Sequence, residues 1–236
     1  MTAAAVRLTG VTHAYPDGTP ALHGIDLHIA AGERVAVLGR NGAGKSTLML
    51  HLNGVLIASS GTVEIGETPI ARDTLREIRR RVGVVFQNPD DQLFMPTVAE
   101  DVAFGPANFG VRGDRLTEDV RAALAAVGMT DRADRSPLRL SSGERRRAAL
   151  AGVLACRPEV LVLDEPSADL DPAARGELAR ILAALPTTLI MVTHDLPYAG
   201  RICERAVVLD GGRIVADGPM ATILADEATL AAHGLS

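Results

Sequence analysis

Apolar positions along this chain first recur at strand spacing. The runs "AVRLTGVTHAY", "LHGIDLHI" and "RVAVLG" open the sequence. The third is apolar on consecutive residues, which predicts a strand covered on both faces. "VGVVFQ" at 82–87, "VLVLD" at 160–164 and "TLIMVT" at 188–193 have the same buried character. Between Gln87 and Pro158 the spacing becomes helical. "TVAEDVAF" opens on Thr97 with Glu100 three positions on, a capping box. "LTEDVRAALAAVG" sets Leu116, Val120, Leu124 and Val127 on one helical face, and Gly128 suits its end. "SSGE" repeats the capping box with Ser141 and Glu144. "DPAARGELARILAAL" offers Asp171 as a cap and Pro172 in the first turn, where a missing N–H costs nothing. "AVVLDGGRIVADG" reads as a hairpin across Asp210-Gly211. The expected layout is one α/β domain, its core formed by 1–87 and 158–236, with a helical insertion at 88–157.

The 236 residues, 47% of them hydrophobic, are enough to bury the core this pattern requires. A net charge of -5, from 24 basic and 29 acidic side chains, gives no reason to expect a nucleic-acid partner, which favours a basic surface. The longest apolar run, "AALAGVLAC" at 148–156, is far short of the roughly twenty residues a membrane span needs. The start "MTAAAVRLTG" lacks a secretory pattern, so a cytoplasmic protein is expected. Cys156 and Cys203 stand apart with no CxxC spacing and read as small buried apolar residues.

One count alters the picture. Lys45 is the sole lysine among the 24 basic residues, and it falls inside "GRNGAGKST" at 39–47. A lysine is a compact point charge on a thin stem, whereas a guanidinium is a broad fork. The stretch fits G-x-x-x-x-G-K-[ST] and follows a buried strand, the context that the phosphate-loop motif requires. Gly39, Gly42 and Gly44 let the backbone approach phosphate oxygens, and Arg40, Asn41, Ala43 and Thr47 complete the ATP-binding loop. The helix beginning near Lys45 adds its positive end. Lys45 is expected to reach the β- and γ-phosphates, and Ser46 to coordinate Mg²⁺.

Further chemistry lies beyond the loop. Asp164 and Glu165, adjacent on a strand read as extended, would point to opposite sides, Asp164 to the metal and Glu165 to the attacking water. His194, after "TLIMVT", fits a contact to the γ-phosphate and its water. Tyr15 is a candidate for stacking on adenine in a chain with two tyrosines and no tryptophan. Gln87 ends a strand where its amide could touch Mg²⁺ or water and where the insertion would hinge. Histidines 13, 23, 28, 51 and 233 show no metal spacing and read as ordinary residues.

In order, Tyr15, "GRNGAGKST", Gln87, "LSSGE", "LVLDEP", "SADLD" and His194 resemble the ATP-binding subunit of an ABC transporter, over essentially the whole chain. The resemblance implies a P-loop NTPase fold: a RecA-like core, an antiparallel β subdomain and an inserted helical subdomain. It implies that Ser141, Ser142, Gly143 and Glu144 act on ATP held by a second ATPase subunit, identical or a paralogue, in a head-to-tail dimer. Asp171 would run along that interface. The common signature is LSGGQ; here Ser142 replaces a glycine and Glu144 a glutamine. Glu144 puts a negative charge near an anion site, which its capping box and Arg145, Arg146 and Arg147 could offset. At least one of those arginines is expected on a solvated helix face.

A narrower resemblance, in "FQNPDDQLFMPTVAEDVAFGPANFG" and "LSSGERRRAALAG", is to the ATPases of energy-coupling-factor importers, particularly those for cobalt or nickel. It implies a membrane-spanning scaffold, a substrate-binding membrane subunit and a place on the cytoplasmic face of the membrane. Asp90, Asp91, Glu100 and Asp101 are expected to meet arginines of the scaffold, with Leu93, Phe94 and Met95 lining an apolar cleft. A vitamin importer of the same type, for biotin as an example, is the alternative. A soluble ABC ATPase acting on DNA or ribosomes is disfavoured by the short helical insertion without heptads.

Overall fold

The computed structural model describes residues 3–235. The chain opens with β1 (Val6–Ala14), β2 (Pro20–Ile29) and β3 (Arg34–Leu38), which runs into α1 (Lys45–Leu52). β4 (Ser60–Ile65), β5 (Thr68–Pro69) and α2 (Leu75–Arg81) precede β6 (Val82–Val85). Three α-helices follow with no described strand between them: α3 (Val98–Asn108), α4 (Gly113–Ala126) and α5 (Ser142–Leu154). The return passes through β7 (Val160–Asp164), α6 (Pro172–Ala184), β8 (Thr188–Thr193) and the short α7 (Leu196–Ala199). β9 (Arg205–Asp210), β10 (Arg213–Pro219), α8 (Met220–Ala225) and α9 (Glu227–Ala232) close the described chain.

Two sheets result. A four-stranded antiparallel sheet has the order β2-β1-β4-β5, and a six-stranded sheet the order β10-β9-β3-β8-β7-β6. The second is parallel from β9 to β6, with β10 antiparallel at its edge. The consecutive apolar runs of its middle strands serve two cores at once, because successive side chains leave opposite faces. Leu161 and Leu163 of β7 pack with α3, α4, α5 and α6. Val160 and Val162 pack with α1 and the antiparallel sheet. This is the RecA-like core with an antiparallel β layer that the sequence led us to expect.

The ladder also positions the chemistry. Leu38 pairs with Thr193, and Asp164 with Val192, so β3, β7 and β8 end side by side. Ligands in open parallel sheets bind outside the carboxyl ends of strands, and these ends carry the phosphate loop, the acid pair and His194.

Helix ends follow their sequence signals. Thr97 and Ser141 each accept from a backbone N–H three residues on, while Glu100 and Glu144 bond back to the Thr97 and Ser141 N–H groups. Asp171 accepts from Ala173 and Ala174 N–H, with Pro172 in the first turn of α6. The hairpin departs in detail. Its central pair is Gly211 and Gly212, with φ of 51° and 71°, and Asp210 stays in β9 opposite Arg213. A tight turn that needs left-handed backbone at both central positions selects the two glycines over Asp210-Gly211. Both cysteines are free, and burial pushes the thiol of Cys156 up to about 11 and that of Cys203 to about 12. No described helix is long and apolar enough to cross a membrane.

Candidate functional site

The phosphate loop is built on close backbone approach. A Cβ at Gly39 would lie 2.3 Å from the Leu209 carbonyl oxygen, and one at Gly44, where φ is 102°, would lie 2.9 Å from that of Ala21. Only glycine fits both positions. The turn of the β9–β10 hairpin braces the loop from outside, Gly212 N–H donating to Ala43 O at 2.9 Å. Lys45 is buried, and its ammonium donates to Gly39 O at 2.7 Å and Arg40 O at 3.1 Å. Burial pulls its pKa down, opposed by the charges of Glu165 and Asp164. Arg40, Asn41, Gly42 and Ser46 are exposed, while Ala43 and Thr47 are buried. Tyr15 donates to or accepts from the Thr47 hydroxyl at 2.8 Å and stands edge-on to His13. Tyr15, Asn41, Gly42 and Gly44 through Thr47 line one cavity of about 480 Å³. The loop and the tyrosine therefore meet.

The acid pair is arranged differently from the strand alternation we expected. Asp164 is the last residue of β7, but Glu165 has left-handed backbone with φ of 42°. Such a conformation is uncommon for a residue with a side chain and clusters at functional sites. It turns the buried Glu165 toward the end of β8. Its Oε2 accepts from the Thr193 hydroxyl at 2.7 Å and its Oε1 lies 2.7 Å from His194 Nδ1. The His194 backbone N–H also donates to it, at 3.1 Å. Thr193 is a partner that sequence reading missed, although it adjoins His194 in "MVTHD". Asp195 was missed too. It accepts from Ser167 at 3.0 Å and from Tyr198 N–H at 3.0 Å, and pairs with Arg175, tying the 167–171 turn to β8. Asp171 is exposed, its carboxylate used by the α6 cap.

Gln87 is exposed beyond the end of β6 and shares a polar cavity of about 420 Å³ with Asp164, Ser142, Arg145 and Arg146. Of the signature residues, Ser142 thus lines a different cavity from Lys45 and Ser46. Ser141 and Ser142 are exposed, and Gly143 is buried against α6, where a Cβ would come within 2.9 Å of Ala174 Cβ. The Glu144 carboxyl is held down at about 2, first by the Ser141 backbone N–H and then by Arg132, whose Nε is 3.0 Å away. The arginine run does not offset it, and of the three only Arg145 keeps substantial exposure. Arg145 lies 3.4 Å from Asp90, Arg147 pairs with Glu177, and Arg146 is buried under the β6 end. Tertiary neighbours on several sides of α5 take up all three.

Besides Asp90, which pairs with Arg145, two more of the carboxylates assigned to a scaffold are engaged internally. Asp101 is buried and accepts from the Phe94 and Met95 N–H groups, both at 3.0 Å. Glu100 is occupied by Thr97. Asp90 and Asp91 remain exposed. Leu93 and Phe94, with Phe86, Phe104, Asp91, Arg79 and Arg80, line a groove of about 320 Å³, of which Met95 is not a lining residue. Phe94 and Phe104 are exposed and stack edge to face at 4.8 Å.

The chain as a whole finds matches among known proteins. A sequence model described as ABC transporter matches residues 22–168. The chain belongs to the ABC transporter family. This ABC ATPase is 58% identical to an ABC transporter ATP-binding protein of Streptomyces coelicolor, over 98% of this chain and 89% of that one. It is 49% identical to the energy-coupling factor transporter ATP-binding protein EcfA of Methanothermobacter thermautotrophicus, over 94% of this chain and 73% of that one. Among solved structures, cbiO1 of Clostridium perfringens, part of the ABC transporter complex cbiONQ, superposes with a TM-score of 0.87 at 36% identity. That match covers 98% of this chain and 94% of cbiO1. The ATP-binding cassette MJ0796, a dimer in a post-hydrolysis state with ADP and phosphate, gives a TM-score of 0.80 at 29% identity, covering 91% and 98%. The chain is the ATP-binding, ATP-hydrolysing subunit of an ABC transporter.

Proposed function

We propose that this ATPase powers an energy-coupling-factor-type importer whose cargo is cobalt or nickel. It would work on the cytoplasmic face of the membrane, paired head to tail with a second ATPase subunit, identical or a paralogue, and docked on a membrane-spanning scaffold beside a substrate-binding subunit. One observation carries the coupling part of this reading. Segment 86–91 supplies residues both to the exposed apolar groove and to the polar cavity holding Gln87 and Asp164. A partner seated in the groove would press on Phe86 and Asp91, the ends of a segment that also lines the cavity holding Asp164. The names of EcfA and cbiO1 support the importer class, and cbiO1 alone points to the cbiONQ type of complex.

Residues present suit the chemistry. Lys45 and the loop N–H groups would hold the phosphates of ATP, with Gly39 through Thr47 wrapping them and Tyr15 supporting the base. Ser46, Gln87 and Asp164 offer hydroxyl, amide and carboxylate oxygens, a hard donor set that fits Mg²⁺. Burial and the Glu165 charge push the Asp164 carboxyl above its ordinary value, against Lys45 and Arg146, and a divalent cation would favour its ionised form. When bound, Mg²⁺ neutralises charge on the β- and γ-phosphates. Glu165 would accept the proton of the attacking water, held by Thr193 and His194. The exposed Ser141 and Ser142 hydroxyls and the α5 N-terminus at Gly143 would cap the γ-phosphate of the partner's ATP, and Asp171 would lie along that interface.

The test joins transport to docking. Cells producing the chain with its membrane subunits should accumulate radioactive cobalt or nickel, and Asp91→Arg should abolish both uptake and co-purification. Uptake of biotin instead of metal would redirect the cargo. Full co-purification of Asp91→Arg would remove the groove from the proposal.

A further inference from the structure

Arg146 is 3% exposed, yet it lies in none of the ion pairs found among the described residues. Its guanidinium donates to three backbone carbonyls instead: Phe86 O at 3.0 Å, Gln87 O, and Ala168 O at 3.3 Å. Burial lowers its affinity for its proton, against the fields of Asp169, Tyr198 and Asp164. Burying a cation without a hydrogen-bonded carboxylate is costly, and arginine has no neutral form to retreat to. An apolar side chain of similar volume would serve packing alone at lower cost. The three acceptors explain the arginine. Phe86 and Gln87 are the first residues past the end of β6, where the ladder no longer supplies donors. Ala168 stands in the 167–171 turn, beside Asp169 with its left-handed φ of 59°.

Those carbonyls belong to separate parts of the site. One segment reaches from Gln87 to the groove, the other follows the acid pair, and Arg146 itself sits one turn inside α5, whose start is Ser141–Glu144. We propose that Arg146 is a positioning residue that makes segment 86–91, the α5 start and the 167–171 turn move as one body. Displacement of segment 86–91 by a partner is thereby carried to the residues that face the second nucleotide. Arg146 makes no hydrogen bond or ion pair with any of Gly39 to Thr47, so nucleotide capture by the phosphate loop should not depend on it. The inference rests on the site roles in the proposed function.

Arg146→Gln keeps one donor and loses the fork. Its steady-state kcat should fall about tenfold, the loss of one or two charge-assisted hydrogen bonds, while KM for ATP stays within about twofold. Arg146→Lys, which keeps the charge but not the fork, should recover part of kcat; if the Gln variant does not fold, the Lys variant carries the same expectation of lowered kcat at unchanged KM. Parent kcat in both variants, or a KM that rises as far as kcat falls, overturns the inference. Glu165→Gln is measured alongside. If that variant is inactive while Arg146→Gln is unaffected, only the role of Arg146 is lost; if Glu165→Gln turns over at the parent rate, the site reading itself is wrong.

Discussion

His194 Nδ1 lies 2.7 Å from Glu165 Oε1, and the imidazole is otherwise largely exposed. Against an ionised carboxylate, which can only accept, the imidazole makes this contact by donating from Nδ1. The left-handed turn at Glu165 makes this contact possible, for it swings the carboxylate from β7 to the end of β8. Under the proposed function this pair would serve as a base with its orienter. Glu165→Gln should lower turnover by about 10² or more, the usual share of a general base, while ATP binding persists and an ATP-bound dimer accumulates. Phosphate release and size-exclusion chromatography with ATP measure both, and unchanged release would refute the assignment.

Thr193 is fully buried and donates to the other oxygen of Glu165 while accepting from Asp195 N–H at 3.0 Å. Thr193→Val keeps the shape and leaves both partners short of a bond. Urea denaturation should register a loss of about 1–3 kcal/mol, the cost of unsatisfied buried polar groups. Turnover should drop with KM for ATP little changed, because the phosphate loop is untouched. A variant as stable as the parent would mean that Glu165 is held by His194 alone.

Much of this was written in local pattern. The middle strands announce themselves by consecutive apolar residues, since both faces are covered, and the boxes at Thr97–Glu100 and Ser141–Glu144 close within four residues. Phosphate loop and acid pair sit at strand ends for the same reason. What escaped depends on partners distant in sequence. Arg146 finds carbonyls 60, 59 and 22 positions away, and nothing in "ERRRAA" distinguishes it from Arg145. Asp101 looks like a surface acid in its helix, but the 94–95 backbone turns back to it and burial raises its pKa. Glu165 misled because its backbone angle is set by β8, not by the strand that precedes it.

Lys45 carries its charge into a buried position, and burial outweighs the attraction of Glu165 and Asp164 in its proton affinity. The fold therefore holds this cation at a cost in stability, as functional residues commonly do. Lys45→Met, of similar length and uncharged, should unfold no more readily than the parent in a thermal melt. Its ATP affinity should nevertheless fall by about 10² or more, since a buried charge pair with phosphate is lost. Marked destabilisation by Lys45→Met would show that the contacts to Gly39 O and Arg40 O outweigh the burial.

Glu144 stands where the commoner signature has glutamine, and its negative charge is consumed within its own chain. The Ser141 N–H and Arg132 hold its carboxyl near 2 rather than the ordinary 4.5. A carboxylate with a lowered folded pKa stabilises the fold fully above its unfolded value, and the contribution disappears as pH falls from about 4.5 toward 2. Glu144→Gln can still accept from Ser141 N–H but cannot pair with Arg132 as an ion. The parent should therefore exceed Glu144→Gln in stability by a constant margin, about 1 kcal/mol for a capping interaction, at pH 5 and above. That margin should shrink progressively below 4.5, as followed by denaturant titrations at several pH values. Turnover of Glu144→Gln at pH 7 should stay within a few-fold of the parent, because the side chain is already engaged by Ser141 N–H and Arg132. A margin independent of pH would mean that Arg132 is not paired with Glu144 in solution, and the charge would then lie open to the anion that Ser141 and Gly143 are proposed to bind.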